Sequence, residues 1–485
     1  MCEELKKRHH NVKSRKELDI VRADRLVHRK VIAEQRLAYH NAIVKAQSDP
    51  TFATLTIDGA DSNKTKVPQH WTKNVRTEYD DNGVVEQRVM TVLLHGQNML
   101  HFYVFAPNVA KGMDCVVSCI VDSLKYLPPS VDRLRIQIDG KLREQCIILK
   151  YGCHGVVSIS SGSSENVNYA VHTLCGLLTT YGLLKEIYLA RLPVGHTHID
   201  IDGRHAIFSM HFNGTKDSGG HVVNGIMTPA EFDRELKAPY KTDRVTVFRK
   251  YGLLAFGEKV KSWLNFTNYG TPSKNSVHAK EQGGRDPEAH FFTYFKEADD
   301  VCARMRYKFL ETDVLSLPRY DGIEVIVPEC FSDAMDLLNG DIVIKEMCEW
   351  SNRAAVEASI RDNKDLNPEQ VSQWEDWFSS CPITADDIPY DSDAIIEWPI
   401  KKLLARKRKY IEEQRAAYIP WKAHHDESAP FPHEIIVHPG HTKKALNAEK
   451  KDREDTHHRR KAIEAEAEVV AAVIDGEKRA SKRKR

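Results

Sequence analysis

Within LPVGHTHIDIDGRH, residues 192–205, four side chains capable of metal or proton chemistry stand at alternate positions: His196, His198, Asp200 and Asp202. Imidazole nitrogens and carboxylate oxygens at alternate positions suit a divalent cation. Two further aspartates stand far upstream: Asp58 closes the apolar run LTIDG and Asp139 closes LRIQIDG. Three apolar runs thus each finish in acid, and open α/β sheets place their ligands just beyond such strand ends. Carboxylates drawn together there repel each other unless a cation neutralises them, so Mg2+ or Mn2+ is the expected ion. Two such ions about 4 Å apart can activate water or a 3′-hydroxyl and steady the leaving oxygen in phosphodiester chemistry. IDG is also a common strand-to-turn sequence, in which the aspartate caps a turn and does no chemistry.

Positioning those residues requires a particular order of elements. Residues 3 to 47 carry Leu18, Val21, Leu26, Val31, Ile32, Leu37 and Ile43 at helical spacing, and Asp49-Pro50 stops the run. From Thr51 the period changes to that of strands: TFATLTIDG, then VEQRVMTVLLHG and MLHFYVFAP joined by a Gly-Gln-Asn turn. MDCVVSCIVDSLKYL shows one apolar helix face closed by Pro128-Pro129, RLRIQIDG is a fourth strand, and NVNYAVHTLCGLLTTYG a second amphipathic helix. KEIYLARLPVG is a fifth strand running into the His/Asp cluster, after which HAIFSMHF predicts a helix from Ile201. Such an order fits a mixed sheet flanked by helices, the arrangement of ribonuclease-H-like domains. There the first and fourth strands are neighbours and the third acid comes from the start of the last helix.

The 485 residues suit two or three domains on the usual scale of roughly 100 to 200 residues each. The expected division is a helical basic N-terminal arm over 1–50, a ribonuclease-H-like core over 51–220, an α/β extension over 221–350, a helical region over 351–430 and a basic tail over 431–485. In the extension, DRVTVFRKYG, HFFTYFK and GIEVIVPE are strand candidates, interrupted by a Gly/Ser/Asn-containing loop. No apolar run approaches the roughly 18 residues of a membrane span, and MCEELKKRHH lacks a signal-peptide core. Ten scattered cysteines with no CxxC pair point to reduced thiols. Net charge is only +1, yet base collects in KKRHHNVKSRK, KKLLARKRK, HHRRK and KRASKRKR, as in nuclear-import signals or phosphate-gripping arms. An intracellular, nuclear protein with DNA as partner is the expectation; no membrane partner is expected, and a homo-oligomer is left open.

IDGADSNKTKVP, LRIQIDG, SSENVNYAVHTLCGLL and LPVGHTHIDID, in that order, resemble a widespread and largely uncharacterised eukaryotic family. Its members are often encoded in mobile elements and carry a transposase-type, ribonuclease-H-like core. The resemblance covers roughly residues 1 to 330, and it implies a DDE/D-type metal site on Asp58, Asp139 and Asp202 or Asp200, with His196 and His198 beside it. One segment departs from the family pattern. An Asn-rich motif normally follows the second aspartate within a few residues, whereas Asp139 and Glu165 are 165 − 139 = 26 positions apart. Residues 140–162 therefore read as an atypical insertion, either an unspliced intron or a lineage-specific segment; the other alignment puts Ser160 or Ser161 where the acid belongs. Val167 also replaces the usual lysine.

Three functional readings follow. The first is a transposon-derived, transposase- or integrase-like protein acting on DNA phosphodiesters by divalent-metal chemistry, active or degenerate, with Lys64 and Lys66 near the DNA backbone. The second is a catalytically inert DNA-binding or scaffold protein of the same fold. The third is a Zn2+-dependent hydrolase, because His196-x-His198-x-Asp200 resembles the start of the HxHxDH signature of metallo-β-lactamase-type enzymes, although Ile201 stands where the final histidine belongs.

Overall fold

A reciprocal cap opens the first helix: Ser14 Oγ accepts from the Glu17 N–H and Glu17 Oε2 accepts from the Ser14 N–H, both at 3.2 Å. The computed structural model describes residues 9–12, 14–61, 64–68, 83–110, 112–138, 169–191, 200–212, 225–240, 243–261, 263–264, 291–297, 299–308, 311, 322–340, 342–345, 347–383, 387 and 395–422. Those within 1–47 and 51–414 form one unit, and 48–50 with 415–422 fall in a second.

In chain order the elements are α1 (Arg15–Ser48), β1 (Phe52–Gly59), β2 (Lys66–Val67), β3 (Val85–Glu86), β4 (Arg88–His95), β5 (Met99–Phe105), α2 (Met113–Ser123), β6 (Arg133–Ile138), α3 (Tyr169–Thr180), β7 (Glu186–Arg191) and α4 (Asp200–Phe212). Then come α5 (Pro229–Lys237), β8 (Arg244–Lys250), α6 (Phe256–Val260), β9 (Phe291–Phe295), β10 (Arg304–Lys308), β11 (Ile323–Glu324), α7 (Phe331–Asp336), α8 (Arg353–Arg361), α9 (Pro368–Ser380) and α10 (Ile400–Lys422). The strand and helix patterns read between residues 51 and 212 thus appear in their expected order. None of the described helices is long and apolar enough to cross a membrane.

The fold is α/β, built on one mixed sheet of nine strands in the order β11-β10-β9-β7-β6-β1-β4-β5-β8. β1 is antiparallel to β4 and β4 to β5, while β1, β6 and β7 run parallel. The strands of the 221–350 stretch add to the same sheet: β8 lies parallel beside β5, and β9, β10 and β11 continue outward from β7. β10 escaped the sequence reading because its RMRYK places only Met305 and Tyr307 inward, between three charged residues, too few apolar positions for a clear alternation.

Side chains alternate across the sheet, and its two faces differ in chemistry. Leu55 and Ile57 of β1 share a face with Val92 and Leu94 of β4, Ile136 and Ile138 of β6 and Leu189 of β7, all fully buried. Helices α2 and α3 cover that face, as the contacts of Ser123 with Tyr103 and of His172 with Tyr294 show. Thr54, Thr56 and Asp58 point the other way, alongside Arg135 and Gln137 of β6 and Thr91 and His95 of β4. Helices α1 and α4 lie over this second face, where Phe208 of α4 packs edge-on to Phe102. At its rim α1 comes so close to the β4–β5 turn that a Cβ at Gly96 would sit 2.3 Å from the Ala46 carbonyl oxygen; Gly96 also has φ +84°.

Candidate functional site

The polar face is positioned by α4. Ile201, Phe208 and Phe212 of that helix are buried, and the same stripe at i, i+4, i+7 and i+11 carries His205 toward the sheet. Asp200 and Asp202 lie in the first turn, where the helix dipole favours negative charge. Two polar constellations result.

The first surrounds Asp200. Its Oδ1 accepts from the Tyr39 hydroxyl at 2.5 Å and its Oδ2 lies 2.5 Å from His95 Nε2. Because the Tyr39 proton is committed to Asp200, Thr56 Oγ1, 3.0 Å from the phenol oxygen, is the donor there. Burial would raise the Asp200 pKa, but the hydrogen bond and attraction of His95 and then the bond from Tyr39 outweigh it, so the carboxyl titrates below its ordinary 3.8. Burial, followed by the neighbouring carboxylate, pushes the Tyr39 phenol far upward and keeps it a donor. Arg135 walls the other side: its guanidinium bonds Glu311 and Gln137 and lies 5.8 Å from the Tyr39 ring centre. Helix α1, sheet and helix α4 therefore meet at one carboxylate.

The second surrounds Asp58. Its Oδ1 accepts from the Gly59 N–H at 2.9 Å, and its Oδ2 lies 3.8 Å from His205 Nδ1. His205 Nε2 is 2.9 Å from Thr91 Oγ1, on the residue directly opposite Asp58 in the ladder. Burial, and then the charge of Lys64, pushes the His205 pKa down to about 4, so the imidazole is neutral at pH 7. The Asp58 side chain is 19% exposed and that of His205 13%.

Sequence-predicted residues divide accordingly. Asp58, Asp200 and Asp202 are borne by the expected elements, and Asp58 and Asp200 share the polar face. Asp139, His196 and His198 lie outside the described residues. Among the described residues no group of three or more His, Cys, Asp or Glu could hold a metal ion. Sequence reasoning missed Tyr39, His95, Arg135 and His205. For His205 a signal existed, since it interrupts the apolar stripe of α4; each of the others has a charged partner more than a hundred residues away along the chain, Asp200 for Tyr39 and His95 and Glu311 for Arg135.

Residues 160–246 match the family model described as Domain of unknown function (DUF7869), so α3, β7, α4 and α5 are similar to an uncharacterised family. The match takes in Asp200, Asp202, His196, His198 and His205 but neither Asp58 nor Asp139, and it begins within the final residues of the atypical 140–162 segment. No curated protein and no solved structure matches the chain.

Proposed function

We propose that the chain is a transposon-derived, ribonuclease-H-like protein that acts on DNA phosphodiesters with a divalent metal. The observation that carries this reading is the parallel pairing of β1 with β6: Ile57 is opposite Ile138, and in the sequence each is followed by an aspartate, Asp58 and Asp139. The helix after β7 then begins with acid, as a third ligand position requires. Asp202 is taken as that third ligand; Asp200 accepts hydrogen bonds on both oxygens, which fasten α4 to the sheet and α1. The same engagement of Asp200 weighs against the zinc-hydrolase reading, which needs that carboxylate as a ligand.

Asp58 offers an oxygen donor at a partly open strand end, chemistry that suits Mg2+ or Mn2+. A bound ion would supply charge neutralisation and an acidified water. The protein's own residues fix the carboxylate through the Gly59 amide, keep a neutral imidazole beside it, and set Lys64 close enough for its charge to be felt at His205. Lys64 and the exposed basic residues of α10, Arg408 among them, suit the DNA backbone.

The test is nicking of supercoiled DNA by the full chain in Mg2+ or Mn2+, with Asp58→Asn and Asp202→Asn alongside. Cleavage lost in both variants supports the reading. Salt-sensitive DNA binding with no cleavage, unaltered by either substitution, would replace it with the inert DNA-binding protein of the same fold.

A further inference from the structure

We infer that Asp58 and His205 together form a nitrogen-and-oxygen donor pair for one divalent cation of the manganese or zinc class. The inference rests on the reading of Asp58 as a metal ligand and adds to it a histidine that the sequence motifs did not single out.

The geometry comes from three elements. Asp58 ends β1, Thr91 stands opposite it on β4, and His205 descends from α4 between them. One ring nitrogen is taken: Nε2 lies 2.9 Å from Thr91 Oγ1. If Nε2 donates there, Nδ1 carries the lone pair, and Nδ1 is the atom turned toward Asp58 Oδ2. Metal-binding histidines are usually oriented this way, with the second nitrogen donating to a neighbouring acceptor that fixes tautomer and ring plane.

The 3.8 Å between Nδ1 and Oδ2 is too long for a hydrogen bond, whose N···O distance is at most about 3.2 Å. It is a workable separation for two ligands of one ion, because metal–ligand bonds of about 2.0–2.2 Å put neighbouring ligands roughly 3–4 Å apart. A carboxylate oxygen and an imidazole nitrogen facing each other at that distance share an attraction to a cation between them. Imidazole also decides the class: Mg2+ takes oxygen almost exclusively, whereas manganese and zinc accept nitrogen. The pair fills two positions and leaves the others for the remaining carboxylates of the site, water or a phosphate oxygen.

The experiment is electron spin-echo spectroscopy of Mn2+ bound to the full chain, with natural-abundance and 15N-histidine protein, followed by His205→Gln, His196→Gln and His198→Gln. The expected result is a histidine-nitrogen coupling in wild type that changes on 15N labelling. It should vanish only in His205→Gln, where Mn2+ affinity falls at least about tenfold and Mg2+ affinity stays within about twofold, since an imidazole contributes little to a magnesium site. Bound manganese without nitrogen coupling in wild type overturns the inference while leaving the Asp58 reading in place, and needs no variant to fold. Coupling that survives in His205→Gln and disappears in His196→Gln or His198→Gln also overturns it. Absence of bound manganese overturns the inference, and absence of bound magnesium as well overturns the Asp58 reading with it.

Discussion

The two faces of the sheet are covered by helices in the same way and held by different forces. On one, aliphatic side chains from β1, β4, β6 and β7 meet α2 and α3, and their stabilisation is non-directional and proportional to area. On the other, beside the Phe208–Phe102 ring contact, α1 and α4 are fastened through Tyr39, Thr56, His95 and Asp200, whose bonds require particular atoms at particular distances. Net stabilisation per bond is small, but the penalty for leaving a partner unsatisfied is larger. A polar face therefore specifies where α4 sits more sharply than it stabilises the fold, and α4 is the element that carries Asp202 and His205.

The largest test of that contrast is on the apolar face. Leu55→Ala should cost about 2–5 kcal/mol in urea unfolding, the range for a fully buried leucine, with little change in metal affinity at Asp58. On the polar face Asp200→Ala, which leaves the Tyr39 hydroxyl and His95 without their acceptor, should cost about 1–3 kcal/mol and weaken manganese binding as well. If Asp200→Ala left the metal site untouched, the positioning role of the polar face would be wrong.

Acid sensitivity sharpens the comparison, because the apolar side also holds a titratable group. His101 is buried among Tyr103, Tyr126 and Phe248, and desolvation pushes its pKa down to about 4, Asp122 opposing and Lys250 assisting. Between about pH 6.5 and 4 the unfolded chain binds a proton there that the native state refuses. His101 should make stability fall with falling pH across that window by at most about 1.4 kcal/mol per pH unit. His205 on the polar side, pushed down to about 4 as well, adds a like slope, and His101→Gln should remove only the first share. Asp200 works lower down: its native pKa lies below the ordinary 3.8, so its contribution is complete above that value and disappears as pH falls through the native one. Asp200→Asn should remove that last acid-induced loss, read from the unfolding midpoint against pH. The smallest effect is expected for Tyr39→Phe, which removes one donor from Asp200 and one acceptor from Thr56 and should cost about 1 kcal/mol in the same assay.

Much of the central sheet was legible in the sequence because β1 and β6 alternate apolar with polar residues, β4 and β5 are short apolar runs joined by a turn, and α2 and α3 write a helical period over the same surface. Asp58 could be seen to end a strand for the same reason. The sheet's outer strands were harder. β9, β10 and β11 join beyond β7 through one pairing remote in the chain, β7 with β9, and residue patterns within a strand do not say which neighbour it will take. The polar clamp left no local trace either: Tyr39 reads as one more aromatic on an amphipathic helix until Asp200 is placed beneath it. As for the acid trio, sequence places Asp58 and Asp202 on the right elements, while the spacing of ionisable residues gave no hint that Asp200 would be an anchor and His205 a neighbour of Asp58.

The bond between Tyr39 and Asp200 joins positions 161 residues apart, and this has a consequence for biogenesis. A ribosome delivers α1 and β1 long before it delivers α4, so the first helix waits for its latch while the hairpin of β4 and β5 and the helix α2 are already available to assemble. Closing so large a loop is entropically costly and slow relative to local pairing. Nascent chains released before residue 200 should therefore bear an amino-terminal helix open to proteases, and lengthening the chain past α4 should be the step that seals it.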